Sequence, residues 1–285
     1  MAASVRFSVR LVRRTALLAG GATVGTLAAE VWAAMRHRFL PVGEPHKLDR
    51  VLGPEDAEPL VLAVLGDSSV AGVGADTPET TLTYGVAKVL AERYRVTLYC
   101  FGVSGARLAN VVSEQLPRLA EIDPDVVLVC AGVNDITHCT PLLEVRRQLR
   151  LLATGLETVA PDAVKVVSGL PPAETSRAFR WPLRSILGTW ARAYTRLYKA
   201  ELEHHGITVL DITKVARAAF HKRREMFSDD WFHPSSTGYT WLGVLYGSAV
   251  RDALERARAT QPQQAVPTAR DGKEPGAALA GGLAG

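Results

Sequence analysis

Cysteine is scarce in this 285-residue chain, which holds three, Cys100, Cys130 and Cys139, at irregular spacing. Three are too few for a disulfide framework, and the odd count favours reducing surroundings. Cys130 falls inside an apolar run, where cysteine acts as a small buried hydrophobe. Most of the chain also lacks a basic surplus. The net charge is +4, but residues 1–40 carry Arg6, Arg10, Arg13, Arg14, Arg36 and Arg38 against Glu30, a balance of +5, which leaves −1 for the other 245 residues. With no basic face left over, nucleic acid is excluded as a partner. There is no internal repeat and no long insert that would form a lid. Nor does any apolar run reach the length of an uninterrupted membrane span. The longest candidate, Thr15 to Ala29, stops at Glu30 and resumes as "VWAAM". It suits the apolar region of an export signal, or nearly spans a bilayer if Glu30 is tolerated.

What is present divides the chain in three. Residues 1–40, Arg-rich and then apolar, read as a signal or membrane anchor. Membrane association through residues 10–35 is the expectation, with a membrane-anchored or exported location. A cytoplasmic location is the alternative that the odd cysteine count favours. Residues 41–258 have the length and composition of one globular domain, in a chain that is 47% apolar and 22% charged overall. Residues 259–285, rich in Pro, Gly, Ala and Gln without apolar periodicity, read as a disordered tail.

Within the domain, short apolar or β-branched runs at residues 60–66, 95–100, 125–131, 164–170 and 207–211 predict five strands. Between and after them, apolar residues recur at three and four over 79–93, 141–159, 183–204 and 236–256, which predicts helices. Strands alternating with helices imply right-handed βαβ units and a mostly parallel sheet covered on both faces. Reactive groups in such a sheet gather outside the carboxyl ends of the strands. Four strand ends read "GDSS", "FGVSG", "AGVND" and "GLPP", and all four loops are expected on one edge.

The first of these continues as "GDSSVAGVG", residues 66–74. It is not a phosphate cradle, because no Lys follows its glycines, the dinucleotide spacing is wrong, and Asp67 would repel the ligand. A plain strand-to-helix turn and a mounted serine nucleophile remain. A serine needs a base and a group that orients the base. In "SDDWFHPSSTGY", residues 228–239, Asp230 and His233 are spaced so that one turn brings carboxylate to imidazole, and Ser235 or Ser236 can cap a following helix. Taken alone, that stretch reads rather as ordinary turn aspartates and a surface histidine. Donors for an oxyanion have candidates in Asn134 of "AGVND" and in Gly105 of "GVSGAR", each also an ordinary turn residue.

"GDSSVAGVG", "GVSGAR", "AGVND" and "DDWFHP", in this order over roughly residues 60–255, resemble the SGNH/GDSL hydrolases. The resemblance implies a flavodoxin-like three-layer α/β/α fold, here with a five-stranded sheet, and ester hydrolysis without a metal or cofactor. It implies Ser68 as nucleophile, His233 as general base and Asp230 as the group orienting it. The Ser68 and Gly105 amides and the Asn134 side chain would form the oxyanion hole. Asp67 and Ser69 become residues of the turn, and Gly72 and Gly74 flexible backbone beside the nucleophile. Two positions depart from the family pattern, Cys100 and Arg107, and neither belongs to the proton-transfer or oxyanion groups. The substrate expected is a small-molecule, lipid or glycan carboxylic ester, with a shallow cleft for short acyl chains. A thioesterase or O-deacylase on the same site is the near alternative, and a non-catalytic binder of acylated ligands the distant one. Oligomeric state stays open.

Overall fold

A computed structural model describes residues 25–34, 36, 37, 39, 40, 46 and 48–260. Six strands form one sheet: β1 (Arg50–Leu52), β2 (Glu58–Gly66), β3 (Tyr94–Cys100), β4 (Val126–Cys130), β5 (Val164–Ser168) and β6 (Thr208–Leu210). Their spatial order is β1-β3-β2-β4-β5-β6. All neighbours are parallel except β1, which runs antiparallel to β3. β1 corrects the expected count of five. It is three residues long at the sheet edge, and no apolar run announces it. Pairing with β3 and the Arg50–Glu79 ion pair hold it instead.

The helices are α1 (residues 25–34), α2 (Leu82–Leu90), α3 (Leu108–Asn110), α4 (Val133–Thr137), α5 (Leu142–Val159), α6 (Leu183–Leu202), α7 (Thr213–Phe220) and α8 (Ser236–Thr260). The strand period of two decides which layer each residue meets. Leu60, Leu62 and Val64 of β2, with Val126 and Leu128 of β4, face α2, α7 and α8. Ala63, Leu65, Val127 and Val129 face α3, α5 and α6. Both faces of the sheet are therefore dry, as the nearly continuous apolar strands require. Where α2 crosses α8, a Cβ built on Gly85 would lie 2.8 Å from the Gly243 Cα, so two glycines let the backbones meet.

Element ends differ by a few residues from the sequence expectation. α8 continues to Thr260, two residues into the stretch read as tail. α7 was hidden in a segment too short to display periodicity. The remaining tail, residues 261–285, and most of the expected membrane segment, residues 10–24 and 35, lie outside the described residues. Among the described residues no helix is long and apolar enough to cross a membrane.

Chain order reverses between β2 and β4, since β2 is followed in sequence by β3 on one side and then by β4 on the other. Gly66 of β2 pairs with Cys130 of β4 at that point. The crevice beyond it is where a ligand is expected in an open parallel sheet.

Candidate active site

Ser68 sits two residues past Gly66, directly above the switch point. The chain folds there into a tight turn: Val70 and Ala71 donate to the Asp67 carbonyl, and Val73 to the Ser68 carbonyl. The Asp67 carboxylate accepts from the amide and the hydroxyl of Ser69, at 3.0 and 2.8 Å, which accounts for both residues as parts of the turn. Burial pushes the Asp67 carboxyl up from its ordinary range, while the Ser69 hydrogen bonds pull the other way. Gly74 has φ +97, and a Cβ there would lie 2.5 Å from the Pro234 carbonyl. Its role is therefore close approach of the serine turn to the histidine loop, rather than flexibility.

That loop, Ser228 to Ser235, is closed by Ser228 N–H donating to the His233 carbonyl. Ser235 caps α8 by accepting from Gly238 N–H at 3.2 Å. Asp230 Oδ1 accepts from the Phe232 and His233 amides, both at 2.9 Å. Asp230 Oδ2 accepts from His233 Nδ1 at 2.6 Å, and His233 Nε2 lies 3.0 Å from Ser68 Oγ. An ionised carboxylate only accepts, so Nδ1 carries the proton and Nε2 accepts from the Ser68 hydroxyl. Burial raises the Asp230 carboxyl. The hydrogen bonds from His233, Phe232 and Leu40 outweigh it and hold the group well below the usual carboxylate range.

Asn134 lies in α4, just past β4. One amide hydrogen goes to the Ala106 carbonyl at 2.9 Å, leaving the other free to donate. Among the described residues nothing accepts from the Ser68 or Gly105 amides. Ser68, Asn134 and His233 share the wall of one cavity of about 140 Å³, otherwise lined largely by apolar groups such as Leu170, Phe220 and Tyr246. Gly105 is not on that wall; it occupies the exposed turn after β3, at φ +83. The sequence-derived residues thus converge, with Gly105 at the periphery.

Several supporting residues were missed by the sequence reading. Gln115 is buried, accepts from Gly66 N–H at 2.8 Å and donates to the Gly66 carbonyl at 2.9 Å, fixing the strand end that carries Ser68. A glutamine within the apolar stripe of Leu108, Val111 and Leu116 was its available signal. Asp135 accepts from Leu108 N–H at 2.9 Å and ties the loop after β4 to the loop after β3. Leu40 donates to Asp230 Oδ2 at 3.1 Å from 190 residues upstream, and nothing in the sequence signals it.

The sequence profile of the GDSL-like Lipase/Acylhydrolase family matches residues 64–241. Among solved structures, the chain is similar to a family 3 carbohydrate esterase of Clostridium thermocellum, at 19% identity and TM-score 0.56, over 70% of this chain and 98% of that one. It is similar to the psychrotrophic esterase EstA of Pseudoalteromonas, at 18% identity and TM-score 0.53, over 68% and 98%. TesA matches at 24% identity and TM-score 0.52, over 69% and 99%. No curated relative matches the chain by sequence.

Proposed function

The chain belongs to the GDSL-like lipase/acylhydrolase family and is an ester-hydrolysing enzyme, and from that premise we propose that Ser68, His233 and Asp230 carry out the hydrolysis through an acyl-enzyme. The observation behind this reading is one line of contacts. His233 stands between a serine oxygen at 3.0 Å and a buried carboxylate at 2.6 Å. Ser68 Oγ attacks the ester carbonyl while its proton passes to His233 Nε2. The carbonyl oxygen becomes an oxyanion, received by the Ser68 amide and the free Asn134 amide hydrogen. The Gly105 amide is the third donor, with the least support because its turn lies off the cavity wall. Collapse of the intermediate breaks the ester C–O bond, and His233 returns its proton to the leaving alcohol. Water, deprotonated by His233, then attacks the acyl-Ser68 carbonyl, which releases the acid and restores the serine.

The substrate we propose is a carboxylic ester with a short acyl chain. Support comes from the cavity beside Ser68, about 140 Å³ and lined mostly by apolar residues. A cavity of that size holds about six carbons of hydrocarbon. The acyl chain would lie against these apolar walls. The alcohol then points outward.

A fluorophosphonate probe tests the mechanism. Parent protein should be labelled at Ser68, and Ser68→Ala should lose labelling together with p-nitrophenyl butyrate hydrolysis, by about 10⁶-fold in kcat as for a triad acting as a unit. A Ser68→Ala protein that hydrolyses the ester at the parental rate would overturn it.

A further inference from the structure

Asp230 is held largely by its own loop. Oδ1 accepts from Ser228 Oγ and from the amides of Phe232 and His233. Oδ2, the oxygen that meets His233, accepts among the described residues from one other group, the Leu40 amide at 3.1 Å. Three residues before Leu40, His37 Nε2 lies 2.7 Å from the Asp230 backbone carbonyl. A carbonyl only accepts, so His37 Nε2 carries the proton. Between these two contacts, Phe39 packs edge-on against Phe232 with centroids 4.9 Å apart. Phe232 in turn packs edge-on against the His233 ring, also at 4.9 Å.

These contacts fall where the loop is conformationally most demanding. Trp231 has φ +56, a left-handed conformation that a bulky L residue keeps only when its surroundings hold it. Long-range hydrogen bonds grip the peptides on both sides. His37 donates to the carbonyl before Trp231, and Ser176 Oγ donates to the Trp231 carbonyl at 2.8 Å.

We propose that His37, Phe39 and Leu40 form a strap that positions the Asp230–His233 pair, through the Leu40 amide, the His37 ring and the Phe39–Phe232 contact. The proposal rests on the reading of Ser68, His233 and Asp230 as the catalytic set. Without the Leu40 donor, Oδ2 keeps, among the described residues, its bond to His233 alone, and the carboxylate loses the second anchor on the oxygen that aims the imidazole. The 3.0 Å alignment of Nε2 with Ser68 Oγ then loosens. Leu40 and His37 do not line the acyl cavity, so the strap acts on turnover rather than on substrate binding. It also couples α1, which ends at residue 34, to the catalytic loop three residues later. An enzyme trimmed beyond residue 36 would lose part of its site.

The test uses full-length protein and three readouts: kcat and KM on p-nitrophenyl butyrate, the rate constant of fluorophosphonate labelling at Ser68, and Tm. Leu40→Pro removes the amide hydrogen. It should lower kcat and the labelling rate by about ten- to a hundredfold, the weight of one hydrogen bond to a charged group, with KM within about twofold. Leu40→Ala keeps the amide and should rescue both rates. Parental rates in Leu40→Pro, or a Leu40→Ala as slow as Leu40→Pro, overturn the strap. If Leu40→Pro does not fold by circular dichroism, His37→Ala and Phe39→Ala decide, with slowed labelling at unchanged KM supporting the proposal and parental rates overturning it. A parent that fails to label at Ser68 refutes the catalytic reading, and the strap falls with it. A labelled parent matched by an equally fast Leu40→Pro refutes the strap alone.

Discussion

Single atoms would carry the proposed chemistry, and the sharpest of them is Asp230 Oδ2. The folded carboxyl lies well below the ordinary value of about 3.9 for an unfolded aspartate, so the protein binds fewer protons at this site folded than unfolded. Its stabilisation is present above that unfolded value and is lost as pH falls through the folded one. Asp230→Asn lacks it. The Tm gap between parent and Asp230→Asn should therefore be widest near neutrality and narrow as pH drops from about 4 toward 2. Scanning calorimetry across that range checks the sign. The same substitution should lower kcat by about 10⁴ near pH 7, because an amide stabilises the wrong imidazole tautomer. Asn134→Ala removes one oxyanion donor and should cost about 10² to 10³ in kcat with little change in KM. Steady-state kinetics separates it from Asp230→Asn by magnitude. Ser68, Asp230, His233 and Asn134, which the fold brings together, were legible as candidates in the sequence because each lies in a short local pattern. Gln115 and Leu40 were not, since each acts only on a partner brought to it by the fold.

Elements position these atoms, and the crossing of α2 and α8 shows how closely they are packed. Gly85 and Gly243 put two backbones in contact, with 2.8 Å left where a Cβ would stand. Gly85→Ala gains about 1 kcal/mol of helix propensity. It also forces a backbone–backbone clash that no rotamer change relieves, and overpacking of this kind costs about 1–3 kcal/mol. The net expectation is destabilisation, read as a lower urea midpoint with an unchanged m-value. Periodicity made the four long helices and five strands legible, with ends shifted by a few residues. It missed β1, α3, α4 and α7 because three to eight residues are too few to display a period against their surroundings.

The cavity beside Ser68 is a property of the whole molecule. Its wall takes Leu170 from the segment after β5, Phe220 from the end of α7 and Tyr246 from α8, groups drawn from both layers around the sheet edge. Its depth should appear as a chain-length preference. Across p-nitrophenyl esters, kcat/KM should rise to about six acyl carbons and fall beyond them, in keeping with a cavity near the size that holds benzene. Phe220→Ala opens the wall and should move the optimum to longer chains. A profile unaffected by Phe220→Ala would assign the acyl chain to another surface.

Local chemistry and periodicity in the sequence alone determined the alternation of strands and helices and the edge where the reactive loops meet, and the resemblance of four short motifs pointed to the serine, the histidine and its carboxylate as candidates. Those are written in patterns a few residues long, or in a hydrophobic period that burial enforces. Tertiary structure alone decided that Gly74 lets two loops touch, that Gln115 pins the end of β2, that a largely apolar cavity adjoins the serine, and that an N-terminal segment reaches the Asp230 carboxylate. Each depends on groups far apart in the chain, such as Leu40 and Asp230, and on backbone amides that look the same at every position until the fold assigns them an acceptor.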